Sequence, residues 1–302
     1  MVAAATAHLV LLPVLGLLFN AFTWGVSWWP FRQLQALGLH PLWATALIYL
    51  LALLFISAWR PASWAQLARA PSLWWLVLAS GTTNAAFNWG VTLGDVVRVV
   101  LLFYLMPLWA VLLARRVLGE RLTALAGLRV LLALAGAAIV LWPEGGALPL
   151  PATLAEGLGV LGGFAFALNN VMLRREARRS EWSRALAMFL GGAVGSGLLA
   201  LALGTQGLVP APPPPAWPWV LGALGLGLLF LLSNLSLQYG AARLSANATA
   251  VVMVTEVLFA SVSAVLLGAS QLSLPLLAGG TLIVAAALLS VLERPGGTGS
   301  HG

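Results

Sequence analysis

Long apolar runs separated by short polar links fill this chain from end to end. Each run is close to 20 residues, about the length a helix needs to cross the hydrocarbon core of a bilayer. Strands of a membrane barrel would instead alternate apolar and polar positions over roughly ten residues. The pattern predicts about ten spans, over residues 9–29, 41–59, 73–93, 96–118, 123–142, 154–173, 184–203, 219–239, 246–267 and 274–292. Turn residues mark two of the links: Pro and Gly at 143–151, and a Pro-rich stretch at 210–218. The first run lacks a basic flank before it and exceeds the roughly 7–15 residues of a signal-peptide core, so it reads as a retained span. Residues 296–302 read as a flexible tail or a cloning remnant. The expected fold class is an all-α integral membrane protein of about ten transmembrane helices.

Composition supports this pattern. The chain is 61% hydrophobic and 8% charged, where soluble domains carry roughly 25% charged residues. The net charge of +7 comes from 15 Arg without Lys. On a soluble protein that excess would suggest nucleic acid. Here the arginines gather in the links and read as topology determinants instead. With the N-terminus inside, 12 Arg fall in inside links and tail and 2, Arg32 and Arg98, fall outside; Arg129 lies within the fifth run. The bias predicts both termini in the cytoplasm of a bacterial-type inner membrane.

The same residues exclude several chemistries. There is no Cys, hence no disulfide framework and no thiol catalysis. His8, His40 and His301 are scattered without metal-ligand spacing. No His-Glu-x-x-His, Ser–Lys dyad or paired Asp is present, and no Gly-x-x-x-x-Gly-Lys-Ser/Thr loop. The reading is a non-enzyme without cofactor or metal, acting as a monomer on a small molecule among membrane lipids, with no nucleic-acid partner.

The polar residues inside the runs are the candidate chemistry. Glu256 lies mid-run, where a charged side chain costs about 2.5–3.5 kcal/mol on insertion scales and so faces a bundle interior or a watery cavity. It is a candidate site for a coupling proton or a substrate ammonium; the alternative is a structural brace. Asn20, Thr23 and Ser27 form a helical stripe with Trp24 on its edge. Asn84 and Asn88 are four apart, as are Asn234 and Gln238; Asn169 and Asn170 lie deep in the sixth run. Tyr104 precedes Pro107 by three, and Pro107 predicts a hinge that frees the carbonyl near position 103. Asn20, Trp24, Asn84, Asn88, Tyr104, Asn169, Asn170 and Asn234 are therefore the candidate substrate-binding set. Asp95 and Arg98 share the link after the third run and invite a local ion pair or gate. Most other Trp residues sit at run ends, as an interfacial belt does.

The halves of the chain also resemble each other. Asn88-Trp-Gly-Val-Thr-Leu-Gly94 corresponds to Asn234-Leu-Ser-Leu-Gln-Tyr-Gly240, Pro107 to Glu256, and Thr123 to Ser273, at spacings of 146–150. Five spans per half is odd, so the second half would enter from the opposite side, as in inverted-repeat transporters. The expected boundaries are 1–148 and 149–295 around a central cavity.

The segment Gly94 to Thr123, with its Leu101-Leu-Phe-Tyr-Leu-Met-Pro-Leu-Trp109 helix and closing Gly119-Glu120, resembles the drug/metabolite transporter superfamily (EamA-type). Glu256-Val-Leu-Phe-Ala260 carries a related pattern. The Leu101–Trp109 string is most similar to the YddG-like aromatic amino acid exporters. The duplication is incomplete: Ser270 stands opposite Glu120, and Gly279 opposite Arg129. The resemblance implies a secondary transporter that exports neutral or aromatic amino acids and related amphipathic metabolites by alternating access. The alternative within the same fold is efflux of drugs or other metabolites, such as nucleosides.

Overall fold

The structure, a computed structural model, describes residues 2–119, 123–141, 150–241, 243 and 246–289. Every regular element among them is a helix. In chain order these are α1 (Val2–Val26), α2 (Trp28–Ala36), α3 (Pro41–Trp59), α4 (Ala62–Ala68), α5 (Pro71–Leu93), α6 (Val96–Phe103) and α7 (Met106–Leu118). They continue with α8 (Ala124–Leu141), α9 (Leu154–Arg175), α10 (Glu181–Gly204), α11 (Trp217–Ala241), α12 (Ala246–Leu266) and α13 (Leu274–Leu288). Six stretches among the described residues are long and apolar enough to cross a membrane; shorter apolar helices lie at Gly127–Val140, Thr255–Leu266 and Leu274–Ala286. The chain is a multi-pass helical membrane protein. The expected tail at 296–302, the 143–149 loop and Glu120 lie outside the described residues.

Two predicted spans are not single helices. The first bends at Ser27, whose hydroxyl donates to the Trp24 carbonyl (2.8 Å), before α2 continues it. The fourth divides into α6 and α7. Tyr104 N–H still reaches the Val100 carbonyl (3.0 Å), but Leu105 and Leu108 donate to residues only three back. Pro107 lacks an N–H and falls in the first turn of α7, where that loss is harmless, so the chain restarts a helix instead of kinking one. The Phe103 carbonyl, expected to be free, lies against Gly163 of α9, whose missing side chain lets the backbones meet. The short α4 was not anticipated; its seven residues fill what the sequence reads as a link.

Packing follows the glycines. α5 lies between α9 and α10, α3 packs on α10, α1 packs on α11 and α12, and α8 pairs with α13. A Cβ on Gly81 would sit 2.5 Å from the Gly191 carbonyl, and Gly136 and Gly279 approach each other's carbonyls equally closely at the α8–α13 crossing. Such approach is how membrane helices gain contact when lipid is as apolar as their side chains.

The two ends of the bundle are fastened differently. At one end Asp95 caps α6 by accepting from Arg98 N–H (2.8 Å) and also accepts from the Ser270 hydroxyl (2.6 Å). The Arg98 guanidinium pairs with Glu156 (2.7 Å), itself part of the Thr153 capping box at the start of α9. Arg32 donates to the Val91 and Gly94 carbonyls. At the opposite end Glu176, just past α9, pairs with Arg179 and stands near Arg175. Burial works against its charge, but hydrogen bonds from Arg179 and Ser72 and the nearby arginines outweigh it and hold the carboxyl below the usual glutamate range.

Two outcomes follow. Gly81→Ala should destabilise the protein by about 1–3 kcal/mol, the usual cost of overpacking. Gly225→Ala, which meets no atom within 4 Å, should be neutral or better, both read as melting temperature in detergent. Glu176→Gln should lower the melting temperature at pH 7. A depressed carboxyl stabilises the fold fully above its unfolded value, near 4.5, and loses this as pH falls through the lower folded value. The gap between wild type and variant should therefore close on acidification below that point.

Candidate functional site

The polar residues of the spans pair largely between neighbouring helices. On α1, Asn20 and Trp24 are one turn apart. Asn20 Nδ2 donates to the carbonyl (3.0 Å) and hydroxyl (2.7 Å) of Ser233 on α11. One turn on, the Trp24 ring meets Phe230 of α11 at 4.9 Å between centroids and Phe87 of α5 at 5.6 Å. These are edge-on contacts, the arrangement that aromatic quadrupoles favour.

The antiparallel pair α3 and α5 carries two rungs. The Tyr49 hydroxyl donates to Asn84 Oδ1, and Asn84 Nδ2 donates back along α5 to the Ser80 carbonyl (2.7 Å). One turn away Asn88 Nδ2 donates to Thr45 Oγ1 (3.0 Å), which in turn donates to the Pro41 carbonyl (2.8 Å). Ser80 closes the α5–α10 contact by donating to the Met188 carbonyl (3.0 Å). Every one of these residues is buried, which is what unpaired amides in lipid would require.

The break between α6 and α7 places Tyr104 against α12. Its one hydroxyl hydrogen is shared between the Met253 carbonyl (2.7 Å) and Glu256 Oε2 (3.1 Å). Glu256 is 3% exposed. The Gly25 backbone of α1 packs directly on the backbone carbonyl of Glu256, so α1 closes on the same turn of α12 that Tyr104 reaches.

A continuous chain of rings joins the two polar points. It runs Phe189, Tyr49, Phe230, Trp24, Phe87, Phe103, Tyr104, with successive centroids between 4.9 and 6.0 Å apart. Six helical segments contribute to it: α10, α3, α11, α1, α5 and the α6–α7 break. Asn84 lies beside it at Tyr49, and Glu256 lies at the Tyr104 end. Successive rings are in edge-on or tilted contact.

The candidate set therefore divides. Trp24 and Tyr104 belong to this chain, Asn84 and Glu256 bond to it through Tyr49 and Tyr104, and Asn20 and Asn88 bond to Ser233 and Thr45 instead. Asn234 is half-buried beside it, accepting from Gln238 Nε2 (2.9 Å) and touching Met188 Sδ at 3.9 Å. Asn169 is buried further along α9, and its neighbour Asn170 is exposed, since consecutive helical residues point about 100° apart. The side chain of Pro107 is outside the described residues. Asp95 and Arg98 do not pair with each other: cap geometry directs Asp95 to the backbone, leaving the guanidinium for Glu156. A cleft of about 390 Å³ lies there, lined by Asp95, Arg98, Thr153 and Glu156, away from the ring chain.

Sequence reasoning missed Tyr49, Phe87, Phe103, Phe230 and Ser233. Tyr49 carried a signal, as a phenol in the middle of an apolar run. The phenylalanines carried none, because Phe faces lipid and core alike.

Residues 11–142 match the EamA-like transporter family. No curated protein matches the chain. A solved structure described only as "Crystal structure of protein" has the same fold: it is 21% identical, the match covers 93% of this chain and 96% of that one, and the TM-score is 0.57.

Tyr104→Phe should remove the hydroxyl that reaches both Met253 and Glu256. It should destabilise the protein by about 1–3 kcal/mol, the cost of leaving buried acceptors unpaired. In the Glu256→Gln background the same change should cost measurably less, as a double-mutant cycle of melting temperatures would show.

Proposed function

We propose that the chain is a secondary transporter of the inner membrane that exports neutral or aromatic amino acids and related small amphipathic metabolites by alternating access. The match of residues 11–142 to a transporter family carries this reading. The ring chain adds support: it is apolar enough to hold a hydrophobic side chain, and its polar groups are few and placed at its ends, as in small-molecule sites generally.

The chain is read as two inverted five-helix repeats, 1–148 and 149–295. Exchange α1 with α9, α3 with α10, α5 with α11, the α6–α7 pair with α12, and α8 with α13. The α5–α9 contact then becomes α11–α1, α5–α10 becomes α11–α3, α1–α12 becomes α9 with α6 and α7, and α7–α8 becomes α12–α13. The α3–α10 and α8–α13 contacts map onto themselves. All of these contacts are present. The reciprocal crossing of Gly136 and Gly279 is what a two-fold axis between α8 and α13 requires. Transporters of this build place their site at the repeat interface on discontinuous helices, and the α6–α7 break bearing Tyr104 is such a place.

With both termini in the cytoplasm, the Asp95–Ser270 and Arg98–Glu156 contacts close the outer end. They join the two repeats, so opening outward means parting them. The working unit is read as a monomer in lipid, Glu256 as its coupling or ammonium group, and Pro107 as the fixed start of the moving half-helix.

Proteoliposomes preloaded with unlabelled phenylalanine, tryptophan, methionine, threonine, alanine or uridine test the reading by counterflow of the labelled compound. Saturable exchange of the amino acids, with uridine inert, is the expected result. Uridine exchange alone would move the assignment to nucleoside-like metabolites. Absence of exchange for all six from monodisperse protein would reject amino acid export.

A further inference from the structure

Hydrogen-bond donors and acceptors are unevenly distributed around the ring chain. Asn20 Nδ2 is engaged by a backbone carbonyl, an acceptor only, so its other end must be the oxygen. Asn84 Nδ2 is fixed in the same way by the Ser80 carbonyl. Thr45 gives its one hydroxyl hydrogen to Pro41, so it accepts from Asn88 Nδ2, and that amide is fixed as well. Gln238 Nε2 is held by Asn234, and the Tyr49 and Tyr104 hydroxyls are held by Asn84 and by Met253 with Glu256.

The acceptors are in the opposite condition. The Oδ1 atoms of Asn20, Asn88 and Asn169 and Oε1 of Gln238 are fully buried with no protein donor. The Glu256 carboxyl group meets Tyr104 at Oε2. One amide donor near the chain is weakly held, Asn234 Nδ2 on a thioether sulfur at 3.9 Å. The Ser196 hydroxyl on α10 is buried without a partner, and the indole N–H groups without partners belong to Trp89 and Trp109, whose rings pack on His40 and on the exposed Phe164. Of the cations, Arg32, Arg98 and Arg184 are engaged at helix ends, and Arg129 belongs to α8, which packs on α13, α7 and α6.

We propose that the site recognises its solute through an ammonium group, with a carboxylate on the solute dispensable. The solute class is an amphipathic amine with an aromatic or other apolar body. This rests on the transporter reading and narrows it. Glu256 supplies the counter-charge, and the unpartnered oxygen of Asn20, one turn from Trp24, supplies a neutral acceptor. The ring chain supplies faces that attract a cation and cover the apolar body. A substrate carboxylate would find no fixed cation there, and burying it unpaired is costly.

Three compounds that differ only in charged groups decide the matter: phenylalanine, phenethylamine and 3-phenylpropionate. Each is tested for counterflow in proteoliposomes, with protein-free vesicles giving the passive leak, and for a rise in melting temperature of the detergent-purified protein. Wild type should exchange phenylalanine and phenethylamine comparably and ignore phenylpropionate. Glu256→Gln should weaken phenethylamine by about tenfold or more, the scale of a lost charge-assisted hydrogen bond. Its unliganded melting temperature reports that it is folded. Exchange of phenylpropionate, a requirement for both charged groups together, or undiminished phenethylamine exchange by Glu256→Gln would overturn the proposal and leave the transporter reading standing. Exchange of uridine with none of the three would do the same. If no solute of either panel moves, the amino acid transporter reading and this inference fail together.

Discussion

A carboxyl group in the middle of an apolar bundle is tolerated only where the protein itself supplies its surroundings, and much of this architecture is arranged around that requirement at Glu256. The partner is a phenol, Tyr104, which a continuous helix would not need to present. The chain interrupts the helix at this point, using the proline two residues into α7 to restart it, and the break turns Tyr104 toward α12. Gly25 then lets α1 close over the same turn of α12. Three elements distant in sequence thereby meet at one turn of α12, the α6–α7 break through a polar contact and α1 through close backbone packing.

The other polar side chains obey the same constraint. Asn20, Asn84 and Asn88 each donate an N–H to an adjacent helix or back along their own, and Tyr49 with Asn84 and Thr45 with Asn88 form two rungs between α3 and α5. Among the amides of Asn20 and Asn88, what remains unpaired is the oxygen.

The two ends of the bundle show how an otherwise greasy molecule can hold one shape and still move. Small residues let helices touch along their lengths, at Gly81 with Gly191 and Gly136 with Gly279, without specific bonds to break. The specific bonds concentrate at the ends, in Asp95 with Ser270 and Arg98 with Glu156 on one side and Glu176 with Arg179 on the other. Partly exposed ion pairs of this kind are individually weak, typically about 0–1 kcal/mol. A few of them can therefore hold an end closed and still be released by a modest gain elsewhere.

The helical, membrane-spanning character was legible in the run lengths, because bilayer thickness fixes how many apolar residues a span needs. The burial of Glu256, Tyr104 and most of the asparagines was legible too, since a polar residue inside such a run is costly to leave facing lipid. Their pairings were not legible. That Tyr49 serves Asn84, that Arg98 chooses Glu156 over Asp95, and that Asn170 faces outward while Asn169 does not, depends on helix rotation and neighbour choice. The ring chain was invisible for the same reason. Apolar residues satisfy the bilayer on any face, so sequence fixes that Phe87, Phe103 and Phe230 lie in spans, while only the packing of α1, α5, α6 and α11 decides that they meet.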